Sequence, residues 1–154
     1  MPFEIERKYL VKEWLLPGKV TGTRIVQAYL STDPGRTVRI RLAGDQAFLT
    51  IKGESLGIKR PEFEYTIPVA DAVEMLKLAV SSPVEKVRRE IEHDGMKWEV
   101  DYFEGVNQGL VLAEIELSSE DYEFTLPEWV GKEVTEDPRY HNSQLSLRPY
   151  SEWA

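Results

Sequence analysis

Acidic residues recur at two-residue spacing along this chain, as Glu4 and Glu6, Glu62 and Glu64, Glu99 and Asp101, and Glu114 and Glu116. Basic residues do the same at Arg39 and Arg41 and at Lys86 and Arg88. On a strand, residues i and i+2 share a face roughly 7 Å apart, from a rise of about 3.3 Å per residue. Repeating like charge at that distance, strand after strand, does not stabilise a fold. It makes sense where cations sit among the carboxylates and an anion sits among the basic groups. Carboxylates without thiolate or histidine partners suit hard dications that take oxygen ligands, Mg²⁺ or Mn²⁺. Guanidinium groups match phosphate oxygens in pairs, and lysines act on them as point charges. The two sets together describe a site for a metal-bound polyphosphate, where catalysis needs positioning, charge neutralisation and an activated water.

Other chemistries are poorly provided for. There is no cysteine, which removes disulfides, Fe–S clusters and thiolate nucleophiles, and His93 and His141 are too few for a histidine-rich metal site. Gly44 and the stretch Gly53-Glu54-Ser55-Leu56-Gly57 lack the spacing and lysine of a phosphate-binding P-loop. No serine lies in a nucleophile-elbow pattern.

The elements that must carry these residues are mostly strands. The 154 residues suit one domain, and 42% hydrophobic composition suits a folded one. Period-two alternation marks strands near 3–10, 24–31, 38–42, 47–52, 62–67, 84–91, 97–103 and 111–117. Turn chemistry at Asp33-Pro34-Gly35, Ala43-Gly44-Asp45 and Asp94-Gly95 separates several of them. Asp71 to Val80 has helical spacing. Ser118-Ser119-Glu120-Asp121 reads as a cap opening a short helix that Pro127 ends, Lys12 to Leu16 as one helical turn, and Pro138 to Leu147 as one or two short turns. The fold class expected is α+β, strand-dominated. About eight antiparallel strands can close into a barrel around one small ligand. With the charged parity inward, that barrel is a polar tunnel whose apolar outer face is partly covered by helices. An outer-membrane barrel has the same polarity, but the short strands, the amphipathic helix and the lack of an export signal argue against it.

Twenty-seven acidic against 19 basic side chains leave a formal charge of −8. A net acidic surface counts against nucleic acid and anionic membranes as partners. With no apolar run of membrane-span length and a charged N-terminus, the expected location is cytoplasmic. The total says nothing against a compact polyphosphate taken inside, because it hides the sorting of charge along the strands. A homodimer through the apolar outer face is left open.

Glu4-Ile5-Glu6-Arg7-Lys8 resembles the Glu-x-Glu-x-Lys signature of the CYTH domain, the triphosphate tunnel metalloenzymes. Further segments resemble the family's strands in the right order: Val38–Leu42, Thr50–Lys52, Arg60–Glu64, Glu85–Arg88, Val100-Asp101 and Glu114–Glu116. Gly131–Thr135 with Tyr140-His141-Asn142 is similar to its C-terminal motif. The resemblance spans nearly the whole chain, taken as a single domain 1–154 of the short bacterial type. It implies an eight-stranded antiparallel tunnel that hydrolyses a triphosphate with a divalent metal. Glu4, Glu6, Glu114 and Glu116 would hold metal, with Asp101 supporting or sharing it. Lys8, Arg39, Arg41, Lys52, Arg60, Lys86 and Arg88 would grip phosphate oxygens, and Glu4, Glu6, Lys52 and Lys86 form the expected catalytic group. Glu62 and Glu64 could orient the basic residues or join the metal, and Tyr29 and His141 could face the tunnel. Inorganic tripolyphosphate is the expected substrate, since little on the inward parity beyond Tyr29, Phe48 and Phe103 could stack an organic ring. The alternatives are a thiamine or nucleoside triphosphatase, a class IV-type adenylate cyclase, and a polyphosphate-binding module that does not cut.

Overall fold

The structure is a computed structural model describing residues 2–19 and 21–153. Eight strands form the barrel: β1 Phe3–Val11, β2 Thr23–Ser31, β3 Arg36–Ala43, β4 Gln46–Gly53, β5 Lys59–Ile67, β6 Val84–His93, β7 Met96–Phe103 and β8 Val111–Glu116. Neighbours run β5-β4-β3-β2-β6-β7-β8-β1, and a β1–β5 pairing closes the ring. Every pairing is antiparallel. Closure is brief, over Phe3↔Pro61, Glu4↔Arg60 and Ile5↔Lys59. Further along the same edge of β1 a ninth strand, β9 Val130–Glu133, pairs with Tyr9 and Val11. Alternation did not announce β9, which is only four residues long.

Two hairpins owe their tightness to backbone that favours glycine. His93 pairs with Met96 across Asp94-Gly95, both at positive φ (49° and 76°), the conformation that matches the twist of flanking strands. Ala43 pairs with Gln46 across Gly44-Asp45, with Gly44 at φ 61°.

Because the inside carries charge, the apolar cores lie outside the ring. On β1, β7 and β8, Tyr9, Trp98, Val100, Ala113 and Ile115 point outward and are covered by Leu117, Trp129 and Val130, with Phe124 packed against them. Trp98 is fully buried, its ring 5.6 Å from those of Tyr9 and Trp129. On the opposite side Ile40 and Ala47 meet Ala72, Met75 and Leu76 of helix α1, Val69–Leu76. A third cluster, Val84, Phe103, Leu110, Leu112, Val134 and Leu145, stoppers one end of the barrel. Val84, Phe103 and Leu112 each stand two residues beyond a charged inward residue, Lys86, Asp101 and Glu114. On three adjacent strands the inward row thus turns apolar at the same end, where Leu145 of helix α2, Asn142–Leu147, fills the space.

The helical expectations fared unevenly. Lys12–Leu16 contains the 3-10 turn Glu13–Leu15, and the C-terminal stretch holds a 3-10 turn at Pro138–Tyr140 followed by α2. Helix α1 begins two residues before Asp71 and ends at Leu76, four short of Val80. No helix forms between Ser118 and Pro127. The Ser119 hydroxyl donates to the Asp121 carboxylate, and Tyr122 N–H closes a turn on the Ser119 carbonyl. Beyond this turn the chain has no regular structure up to Pro127, and Phe124 packs edge-on to Trp98 at 5.8 Å. No helix among the described residues is long and apolar enough to cross a membrane.

Trp98→Ala should destabilise the fold by about 3–5 kcal/mol, the usual cost of emptying a large buried aromatic site. Urea denaturation measures this; a loss below about 1 kcal/mol would contradict the outer core described here.

Candidate functional site

The inward parity encloses a cavity of about 880 Å³, within the range of small-molecule sites. Glu4, Glu6, Lys8, Arg39, Arg41, Lys52, Arg60, Lys86, Arg88, Glu114 and Glu116 all line it. Thus all seven expected phosphate-gripping cations and four of the five expected metal-binding carboxylates converge on one space. The remaining carboxylate, Asp101, is fully buried and does not line the cavity. Arg88 holds both its oxygens, from Nε at 2.8 Å and Nη2 at 2.9 Å, and Lys86 Nζ lies 2.7 Å away. Its lone pairs are committed to two cations, so Asp101 stands behind the basic wall.

Ion pairs cross the cavity. Lys52 Nζ lies 2.6 Å from Glu4 and 3.5 Å from Glu62, and Lys8 Nζ lies 3.4 Å from Glu114. Glu64 reaches the basic wall through Thr50: Arg39 donates to the Thr50 hydroxyl at 3.2 Å, and that hydroxyl donates to Glu64 at 2.8 Å. Glu64 therefore orients a basic residue, while Glu62 sits among the carboxylates. Tyr29 lines the wall beside its cross-strand partner Arg39. His141, Asn142 and Thr135 contribute lining from the C-terminal segment. Arg60 donates from Nε and Nη2 to the Gly53 carbonyl, at 3.1 and 2.9 Å.

Electrostatics divide the carboxylates into two classes. Burial opposes ionisation of Glu4 and Glu114, yet Lys52 holds Glu4 well below the usual carboxylate range, and Lys8 and Arg88 do so for Glu114. Asp101 is buried too, but Lys86 and Arg88 hold it down at about 2. Glu6 goes the other way, raised by burial and by the charges of Glu114 and Glu4. Burial and Glu4 push Glu62 up to about 7, and burial with Glu4 and Glu99 raises Glu116. The strand register adds carboxylate neighbours: Glu6 stands directly opposite Glu116, and Glu99 opposite Glu114. Like charges directly opposite each other across a strand pair destabilise it. Among the described residues no three carboxylate or imidazole groups converge tightly enough to chelate an ion as they stand, Glu4 being drawn toward Lys52.

The basic wall is strained in the opposite sense. Burial and the neighbours Arg39 and Arg88 push Arg41 down to about 9. Burial pushes Lys86 down to about 7, with Arg88 and Arg41 adding to it and Asp101 pulling back. His141 is lowered by burial and by Lys8. Three neutral residues in this network, Gln27, Thr50 and Asn142, were not among the sequence candidates. The inward parity of Gln27 and Thr50 was the available signal, but an uncharged side chain on a strand reads as surface.

The chain matches the family model described as CYTH domain over residues 2–150. It is 46% identical to an inorganic triphosphatase of Acetivibrio thermocellus, covering 96% of this chain and 95% of that protein. It is 38% identical to an inorganic triphosphatase of Nitrosomonas europaea, over 94% of this chain and 97% of that one. A crystal structure of an inorganic triphosphatase superposes with a TM-score of 0.67 at 38% identity, over 94% of this chain and 97% of the other. A closed barrel with its charges turned inward, together with similarity along almost the whole length, places this chain in the CYTH domain family.

Proposed function

We propose that this chain hydrolyses triphosphates inside the barrel, with inorganic tripolyphosphate as substrate and pyrophosphate and phosphate as products. The observation that carries this reading is the convergence of seven cations and a facing set of carboxylates in one enclosed cavity. The relatives named inorganic triphosphatase support the choice of substrate. A linear triphosphate is a dense, flexible anion, and Lys8, Arg39, Arg41, Lys52, Arg60, Lys86 and Arg88 surround the space from five strands. Their charge offsets what builds on the phosphoryl oxygens as the anhydride bond breaks. Lys86, held near neutrality, can exchange a proton close to pH 7.

The opposed carboxylates suit a dication. Glu6 and Glu116 face each other in register, both raised by negative neighbours, and all their donors are oxygen. Glu4, Glu6, Glu114 and Glu116 would hold Mg²⁺ or Mn²⁺. The metal would polarise phosphoryl oxygens and make bound water more acidic. Asp101 would orient Lys86 and Arg88 and stay out of the metal shell. Ile25, Ala43 and Phe48 form a modest apolar stretch of the lining, where the organic end of a thiamine or nucleoside triphosphate would have to sit.

A panel of tripolyphosphate, thiamine triphosphate and ATP, each with Mg²⁺ or Mn²⁺, tests the proposal. Tripolyphosphate should turn over fastest, releasing phosphate only when metal is present; cyclic AMP as the main product would overturn it. Glu116→Gln should fold normally and lose metal-dependent turnover on the order of a hundredfold. Arg41→Ala should raise KM about tenfold or more, the worth of one charged hydrogen bond.

Stability should also follow the carboxylates. Glu62 holds its proton up to about pH 7 when folded, against an ordinary value of 4.5. Its contribution to stability is therefore full below about pH 4.5 and lost as pH rises through about 7. In metal-free buffer, Glu62→Gln should flatten the fall in urea midpoint between about pH 5 and about pH 7.5 relative to the unaltered chain. Parallel curves would contradict that assignment.

A further inference from the structure

Acceptors that carry no charge hold several of the cavity's cations from behind. Asn142 Oδ1 accepts two hydrogen bonds, from Lys86 Nζ at 2.8 Å and from Gln27 Nε2 at 2.7 Å. Gln27 is fully buried, and its Oε1 accepts from Arg41 Nε at 2.9 Å. Two residues before Asn142, the Tyr140 carbonyl accepts from Lys8 Nζ at 3.1 Å. A single three-residue stretch thus meets cations or their partners from β1, β2 and β6, and reaches β3 through Gln27.

The choice of a neutral acceptor matters. A second carboxylate here would fix the cations equally well but cancel their charge and repel an incoming anion. An amide oxygen fixes direction and leaves the positive charge for the ligand. The donor count points the same way. Lys86 has three N–H donors; one meets Asp101 and one meets Asn142, which leaves one. Arg41 spends Nε on Gln27, and among the described residues no hydrogen bond engages its Nη groups, the forked pair that suits phosphate oxygens. Asn142 is itself held firmly, because it opens α2, whose Leu145 is fully buried in the apolar stopper.

We propose that Asn142 is the positioning residue of the basic wall, holding Lys86 directly and Arg41 through Gln27 so that both aim their remaining N–H groups at the triphosphate. This rests on the triphosphate reading above. Without Asn142 each cation would sample several rotamers, and a misaimed charge loses much of its value to a bound anion.

The test compares the unaltered chain with Asn142→Ala, Gln27→Ala and the double variant. Tripolyphosphate hydrolysis gives KM and kcat, and calorimetric titration with tripolyphosphate in metal-free buffer gives affinity without turnover. Asn142→Ala should raise KM and weaken binding about tenfold or more, and any fall in kcat should accompany that rise rather than replace it. Gln27→Ala leaves α2 intact and severs the Arg41 arm alone, so it should cost less. The double variant should fall well short of the product of the two single effects, because Gln27 acts in series with Asn142. Losses confined to melting temperature and kcat, with KM and affinity unchanged, mark a purely structural residue and overturn the proposal. Fully multiplicative effects overturn the relay through Gln27. If Asn142→Ala does not fold, unchanged KM and affinity in Gln27→Ala overturn it as well. A chain that binds tripolyphosphate but never cleaves it would contradict the hydrolytic reading, while the affinity ratios still decide the role of Asn142.

Discussion

Oppositely charged side chains facing one another inside a closed barrel are the constraint on which the other features depend. Lys52 meets Glu4 at 2.6 Å, Lys86 meets Asp101 at 2.7 Å, and Arg88 grips both oxygens of Asp101. Taking such groups out of water is costly, and their mutual attraction does little more than offset the cost. An interior filled this way cannot serve as the hydrophobic core, so most apolar strand residues turn outward and need covers, and the inward ones Val84, Phe103 and Leu112 gather at the stoppered end. Residues 117–130 cover one side, α1 another, and the segment through α2 stoppers one end. The chain after β8 is therefore as much a part of the architecture as the barrel itself.

Neutralisation inside is incomplete, and its gaps mark where ligands belong. Asp101, Glu4 and Glu114 each have cations that keep them ionised, and they hold those cations in place. Burial raises Glu6, Glu62 and Glu116, and neighbouring carboxylates add to it. Burial lowers Arg41, with Arg39 and Arg88 adding to it, and burial lowers Lys86 in spite of its pair with Asp101. A dication on the first set and a polyphosphate on the second would relieve both strains together. Paired charges thus set the geometry, and unpaired ones set what binds.

Much of this was legible from residue parity. The eight barrel strands, the inward direction of the charged parity and the convergence of the basic residues followed from alternation and i, i+2 like-charge pairs. The depth of Asp101 along the barrel was not legible, for a physical reason. Glu99 and Asp101 share a parity, but barrel geometry carries Asp101 toward the stoppered end, where Lys86 and Arg88 enclose it. Parity gives the side of a strand, not the depth along the barrel. The expected helix after Ser118 failed because packing of Phe124 on Trp98 outweighed a local capping signal. Gln27, Thr50 and Asn142 were assigned no role because their importance lies in whom they touch, at sequence separations of up to 115 residues.

The most direct measurement is the thermal midpoint with Mg²⁺ alone, with a non-hydrolysable triphosphate alone, and with both. Joint relief of the two unpaired sets predicts that both ligands together raise the midpoint by more than the sum of the separate shifts. Purely additive shifts, or none, would contradict a barrel whose acidic and basic walls are completed together by a metal-bound triphosphate.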